Sequence, residues 1–180
     1  MSEKKRRGGR VLPALCNLAG SLILVTVILS CVPVTVPRLL GHESYSVVSG
    51  SMEPEIPVGS MIYVEPVDPV EVREGDVIAF QSGDGVVAHR VTRNRQVEGQ
   101  FTTKGDANAD EDPNPVPYDA LLGRVIRHDP GLGALLPLYG GTVGKLYVLC
   151  FAACGAMLHV LAGRMRERSR SWEQKEARYE

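Results

Sequence analysis

Cysteine is scarce in this 180-residue chain and absent from its middle. All four cysteines fall within or beside two long apolar stretches: Cys16, Cys31, Cys150 and Cys154. The part between these stretches therefore has no disulfide framework. Cys150 and Cys154 share a helix face, but no third or fourth metal ligand lies nearby in the sequence. We interpret them as small packing residues and expect neither a metal nor a cofactor.

Charge is missing from the same two stretches. Residues 11–37 contain no charged side chain, and this length exceeds the roughly 20 residues that a helix needs to span a bilayer core. Residues 146–163 are also uncharged and still fall within the usual range for a span. The sequence predicts a membrane protein with transmembrane helices at 11–37 and 143–163, and a separate domain at 38–142.

Lysine and arginine are concentrated at the two ends. Residues 1–10 hold five, residues 164–180 hold six, and residues 38–142 hold eight against sixteen Asp and Glu. Cytoplasmic segments of membrane proteins carry an excess of Lys and Arg. This predicts a multi-pass protein of the cell membrane with both termini in the cytoplasm and an extracytoplasmic middle domain.

The first apolar stretch has two other interpretations. A cleavable signal peptide has a shorter apolar core and a small-x-small cleavage site, whereas this stretch continues through CVPVTVPRLL without one. The segment ILSC faintly resembles a lipoprotein cleavage box, although Leu29 is bulky for that motif. We therefore expect an uncleaved anchor.

The middle domain lacks the pattern of a long amphipathic helix. Instead it has five runs rich in β-favouring residues and bounded by turn residues: SMIYVEPV, GDVIAFQ, GVVAHRVTR, QFTTKGD and LLGRVIRH. They predict a mainly β fold of antiparallel strands joined by hairpins. The acidic, proline-rich residues 108–119 cannot form a central strand, and we interpret them as a loop that can hold catalytic carboxylates.

A serine-rich turn, VVSGSMEPEIPVGS, precedes the first of these runs. A serine beside glycine can approach a substrate backbone while the turn directs N–H groups at one point, as an acyl-transfer nucleophile requires. Two residues of the middle domain are candidates for the base. Lys104 is its only lysine, and His89 shares a strand face with Val87 and Val91. Apolar surroundings favour the neutral imidazole that a base needs.

Four segments together resemble the conserved boxes of type I signal peptidases: SGSMEP, GDVIAF, AHRV and TKGDANADED. The resemblance covers roughly residues 47–127 and the helix before them. It is greatest to the branch of the endoplasmic reticulum, archaea and some Gram-positive bacteria, because HRV stands where the ordinary bacterial enzymes have a general-base lysine followed by arginine. The resemblance implies a signal-peptidase-type antiparallel β domain between the two helices.

This resemblance also assigns catalytic roles. It makes Ser51 the nucleophile, and makes the Ser51 backbone N–H and the Ser49 hydroxyl the oxyanion hole. His89 would take the proton of Ser51 and return it to the departing amine.

The acidic residue of the triad follows from the branch's spacing. A second aspartate six positions after the GD pair maps onto Asp106 and Asp112. We assign Asp112 to the triad, where it would hold the imidazole, and give Asp106 a supporting role. Asp110 stays open as the alternative acid, and a solvated loop would also explain all three carboxylates.

The implied substrate is a secreted preprotein, cut after its signal segment where small residues precede the scissile bond. We expect it to bind by adding a strand to exposed backbone edges. The residues expected to bind it are Tyr45, Val47, Val48, Val86, Val87 and Ala88. Membrane lipid is a further expected partner, and nucleic acid is not. The sequence does not decide whether accessory membrane subunits take part.

Two other functions are compatible with parts of the sequence. Related β domains occur in self-cleaving repressors and capsid-type peptidases with Ser-Lys chemistry, but the apolar helices and the lack of a DNA-binding module argue against a repressor. A non-catalytic, membrane-anchored β domain could serve as a binding or assembly subunit. That second function would make the combination of Ser51, His89 and Asp112 a coincidence.

Overall fold

A computed structural model describes residues 3–176 and 178. The chain divides into two compact units. One comprises Met1–Val32 and Leu138–Glu180, and the other comprises Pro33–Pro137. The first unit is helical, and the second contains a β-sheet.

Every residue of the Pro33–Pro137 unit is described. Its seven strands form one antiparallel sheet. The strands are β1 (Glu43–Ser46), β2 (Met61–Glu65), β3 (Val77–Ser82), β4 (Gly85–Arg95), β5 (Gln100–Lys104), β6 (Val116–Pro117) and β7 (Leu121–Asp129). Their order across the sheet is β1-β2-β7-β3-β4-β5-β6. The antiparallel sheet predicted from the sequence is confirmed.

The five predicted strands correspond to β2, β3, β4, β5 and β7. The sequence did not indicate β1 or β6. β1 is the four-residue segment ESYS, which has no apolar alternation, and β6 is two residues long and lies in the proline-rich loop. Both form edges of the sheet, where the ladder tolerates proline and short strands.

Alternate residues of β3 supply two hydrophobic clusters, because successive side chains of a strand point to opposite faces. Ile78 and Phe80 belong to the first cluster, and Ala79 belongs to the second. The first cluster also contains Phe101 of β5, while the second contains Met52 from the serine-rich turn. The sheet thus anchors both the turn and the β4–β5 pair.

The helical elements are α1 (Glu3–Leu39), α2 (Leu135–Gly140) and α3 (Thr142–Glu176). Among the described residues, two segments are long and apolar enough to cross a membrane, Val11–Leu39 and Thr142–Trp172. They overlap the two predicted spans. The short helix α2 was not predicted from the sequence.

Within the helical unit, α1 and α3 approach closely at two glycines. A Cβ atom added to Gly20 would lie 2.8 Å from the Gly155 carbonyl oxygen. One turn away, His159 Nδ1 lies 2.7 Å from Asn17 Oδ1, and His159 Nε2 lies 3.3 Å from Ser21 Oγ. The two helices therefore meet through small residues next to a polar cluster.

Candidate active site

The serine-rich turn is closed at its base and buried at two points. Val47 donates its N–H to the Ser60 carbonyl at 2.9 Å and accepts from the Gly59 N–H at 2.8 Å. Met52 and Ile56 are each 2% exposed and pack in the second hydrophobic cluster. Because Met52 directly follows Ser51, its burial fixes the backbone that carries the predicted nucleophile.

Ser51 contacts the loop that follows β5. Its carbonyl oxygen accepts a hydrogen bond from the Ala107 N–H at 2.9 Å. A Cβ atom added to Gly105 would lie 2.6 Å from the same oxygen, so only glycine permits this approach. The Ser51 hydroxyl lies 3.4 Å from the Ser49 hydroxyl. The structure thus brings together the two serines predicted to form the oxyanion hole.

His89 and Asp112 form a direct pair. The ring nitrogen Nδ1 of His89 lies 2.6 Å from Asp112 Oδ2. The histidine is 8% exposed, and its ring packs edge-on against Phe80 with centroids 6.3 Å apart. A neutral imidazole that donates from Nδ1 keeps a lone pair on Nε2. The arrangement can therefore orient an imidazole as a proton acceptor.

Thr103 provides the second donor to this carboxylate. Its hydroxyl donates to Asp112 Oδ2 at 2.7 Å, and its carbonyl accepts from the Asp112 N–H at 2.8 Å. Thr103 is fully buried in β5. This threonine belongs to the TKGD motif, but its role could not be predicted from the sequence because nothing in the motif indicates which carboxylate it contacts.

Asp106 has a different partner. Its carboxylate accepts two hydrogen bonds from the Arg90 guanidinium, at 2.8 and 2.6 Å. Arg90 also donates to the Gly75 carbonyl at 2.8 Å. The hydrogen bonds to Asp106 raise the pKa of Arg90, although partial burial opposes them. This pair ties the loop after β5 to β4 and to the turn before β3.

The two remaining candidates, Asp110 and Lys104, form no hydrogen bond with His89 in the described residues. Asp110 is exposed, and in the described part of the chain its carboxylate has no hydrogen-bond partner. Lys104 donates from Nζ to the Ala109 carbonyl at 2.8 Å, so its amine holds the same loop. Of the three candidate carboxylates, only that of Asp112 reaches His89.

A small cavity of about 80 Å³ lies beside Ser51. It is lined by Tyr45, Ser46, Val47, Val48, Ser49, Ser51, Met52, Ile56, Ile62, Val86, Val87 and Ala88. All six residues predicted to bind substrate are among them. His89 is not a lining residue, and no hydrogen bond between described residues joins the Ser51 hydroxyl to the His89 ring.

The backbone edges beside this cavity are partly unpaired. Residues 85–89 of β4 pair with β3, whereas the pairing of β4 with β5 begins at Arg90. β1 forms one edge of the whole sheet. These segments leave backbone groups that an additional strand could pair with.

No family model matches the chain. The chain is 43% identical over 84 residues to Signal peptidase I W of Bacillus subtilis (strain 168). The match covers 44% of this chain and 44% of the relative, so it spans less than half the length of either protein. The resemblance indicated by the motifs is confirmed, and the chain is similar to the type I signal peptidases.

Proposed function

We propose that this protein is a membrane-bound serine endopeptidase that removes N-terminal signal peptides from secreted preproteins. The observation that carries the proposal is the 2.6 Å pair of His89 and Asp112, which lies on the strand and loop that border the Ser51 turn. The similarity to Signal peptidase I W supports the removal of signal peptides by a peptidase. A serine, an imidazole and a carboxylate are the groups that acyl transfer at neutral pH requires.

The mechanism begins with the tautomer of His89. Asp112 accepts a hydrogen bond from the Nδ1–H of His89, so Nε2 is left to take the proton of the Ser51 hydroxyl as Oγ attacks the scissile carbonyl carbon. The oxygen of that carbonyl becomes an oxyanion, which the Ser51 N–H and the Ser49 hydroxyl stabilise. His89 then protonates the departing amine, and the signal peptide stays as an acyl group on Ser51.

Deacylation repeats these steps with water. His89 takes a proton from the attacking water, and Ser51 leaves with that proton as the acyl bond breaks. The hydrogen bond between Ser51 and His89 is expected to form when substrate fills the cavity, because catalytic hydrogen bonds are often long or unaligned in free enzymes.

Substrate selection follows from the cavity. An extended preprotein segment would pair with the free edge of β4 and with the chain beyond β1, and main-chain pairing tolerates many sequences. A cavity of about 80 Å³ with mainly apolar walls suits a small side chain next to the scissile bond. We therefore expect cleavage after small residues.

The apolar helices would hold the enzyme where its substrates are. Signal peptides partition into the membrane, so an enzyme with transmembrane anchors meets them at a raised effective concentration. The distribution of Lys and Arg favours cytoplasmic termini and an extracytoplasmic catalytic domain.

The test is cleavage of a preprotein by the full chain in detergent micelles or lipid vesicles. Ser51→Ala and His89→Ala are each expected to lower kcat by about a thousandfold or more, because members of a triad act as one unit. Ser82→Ala, an exposed serine on β3, is the matched control and should cleave like the wild type. Cleavage that survives in Ser51→Ala would overturn the assignment of Ser51 as the nucleophile, and a wild-type chain that cleaves no preprotein would favour a non-catalytic binding subunit.

A further inference from the structure

We infer that Thr103 is a positioning residue that holds the Asp112 carboxylate in the orientation in which it binds His89. This inference rests on the proposed function, since it concerns the same triad. It adds a fourth residue, one that neither lines the cavity at Ser51 nor forms a hydrogen bond with the imidazole in the described residues.

The geometry of the carboxylate carries the inference. One oxygen, Asp112 Oδ2, accepts from both His89 Nδ1 at 2.6 Å and the Thr103 hydroxyl at 2.7 Å. Asp112 lies in a loop with exposed neighbours on both sides, whereas Thr103 is 0% exposed and lies in a strand paired with β4. A rigid strand residue therefore fixes a carboxylate that its own loop would leave free to rotate.

Other groups of the site do not duplicate this role. The guanidinium of Arg90 binds Asp106, and the amine of Lys104 binds the Ala109 carbonyl. Asp110 and Glu111 are exposed, and as carboxylates they donate no hydrogen bond. Apart from His89, the side chain that donates to Asp112 in the described residues is that of Thr103.

Loss of the Thr103 hydroxyl should lower kcat and leave substrate binding unchanged. Without the hydroxyl, Asp112 keeps its charge but loses the contact that fixes its plane, so the Nδ1–H of His89 is aligned for a smaller share of the time. Thr103 does not line the cavity at Ser51, and substrate binding should not depend on it.

Three variants of the full chain test the inference, with an internally quenched peptide of an apolar segment and an Ala-x-Ala cleavage site as substrate. Thr103→Val, which replaces the hydroxyl by a methyl group, should lower kcat about tenfold with KM unchanged, the loss expected for one hydrogen bond to a charged group. Thr103→Ser keeps the hydroxyl and should retain most of the wild-type kcat.

The matched control is Thr102→Val on the same strand. Thr102 is 7% exposed, and its hydroxyl oxygen is buried with no hydrogen-bond partner among the described residues. Removal of that hydroxyl should leave kcat unchanged. Thermal unfolding of each variant shows whether the fold is retained.

The possible results separate the inference from the proposed function. A Thr103→Val enzyme with wild-type kcat, or a Thr103→Ser enzyme as impaired as Thr103→Val, would overturn the positioning role. A wild-type chain that cleaves no preprotein would overturn the proposed function. In that case, the NMR resonance of the His89 Nδ1 proton still tests the hydrogen bond between His89 and Asp112. This hydrogen bond should weaken in Thr103→Val and persist in Thr103→Ser.

Discussion

At position 112, one carboxylate oxygen receives two hydrogen bonds, and this makes the choice among the acidic residues testable. Asp112→Asn would present an amide to His89 and favour the wrong tautomer of the imidazole, so we expect kcat to fall by about 10³ to 10⁴. Asp110→Asn, at an exposed position of the same loop, should change kcat less than twofold. Steady-state cleavage of a preprotein measures both.

Asp106→Asn provides a comparison with a different expected result. It would break one or both hydrogen bonds to Arg90 and loosen the loop whose Ala107 N–H binds Ser51, without touching the imidazole. Its loss of kcat should therefore be much smaller than that of Asp112→Asn. A loss at Asp110 as large as that expected at Asp112 would show that the triad acid lies two positions earlier.

The phenol of Tyr63 leads to a prediction about stability that does not depend on catalysis. Burial, and then a 3.0 Å hydrogen bond to Asp129, raise the pKa of its phenol to about 12. The folded state therefore favours the protonated phenol more than the unfolded state does. The resulting stability is fully present below the unfolded pKa of roughly 10 and is lost as the pH rises through 12.

Tyr63→Phe removes this titration. We expect the unfolding free energy of the variant to fall less steeply than that of the wild type between roughly pH 10 and 12. Denaturant titrations at pH values on both sides of this range measure the difference. Parallel curves for the two proteins would mean that the phenol titrates alike in both states.

At the scale of elements, the sequence predicts the strands whose own residues alternate. β2 to β5 and β7 carry enough Val, Ile, Phe and Thr to be recognised locally. β1 is held by pairing with β2, and β6 by pairing with β5. Contacts between distant residues decide those two strands, and local patterns do not report them.

In the candidate site too, local motifs predict some residues, and contacts between distant residues decide the others. Ser51, His89 and Asp112 were predicted from motif resemblance, and the spacing after the GD pair selected the acid that the structure places beside His89. The contacts of Thr103 with Asp112 and of Gly105 with Ser51 could not be predicted in this way. They depend on how a strand, a loop and a turn meet in three dimensions.

The polar contact between α1 and α3 is expected to stabilise the helical unit. Interhelical hydrogen bonds within membranes contribute roughly 0.6 to 2 kcal/mol, so His159→Leu should lower the unfolding free energy of the helical unit by about that amount. His159→Gln can still donate and accept, and it should recover part of the loss. A double-mutant cycle with Asn17→Leu, measured by SDS titration in mixed micelles, reports the coupling.

Thr26→Val on α1 is the matched control for this cycle, because Thr26 is exposed and its hydroxyl does not belong to the Asn17–Ser21–His159 cluster. It should leave the unfolding free energy unchanged within a few tenths of a kcal/mol. Additive effects of Asn17→Leu and His159→Leu would mean that the 2.7 Å contact does not stabilise the helix pair.

At the scale of the whole molecule, charge and apolar length act together. The two candidate spans place basic segments at both ends of the chain and an acidic domain between them. An even number of spans returns the chain to the side from which it started. If the two helices span the bilayer, both basic ends lie on one side and Ser51 lies on the other.

This topology can be tested by labelling with a membrane-impermeant maleimide. In a variant whose four cysteines are replaced by alanine, Val97→Cys and Ser171→Cys each introduce one thiol at an exposed position. Val97 lies between β4 and β5, and Ser171 lies near the end of α3.

We expect Val97→Cys to react in intact cells and Ser171→Cys to react only after lysis, because the excess of Lys and Arg keeps the tail in the cytoplasm. Labelling of Ser171→Cys in intact cells would place the tail outside, and protection of Val97→Cys would separate Ser51 from exported preproteins.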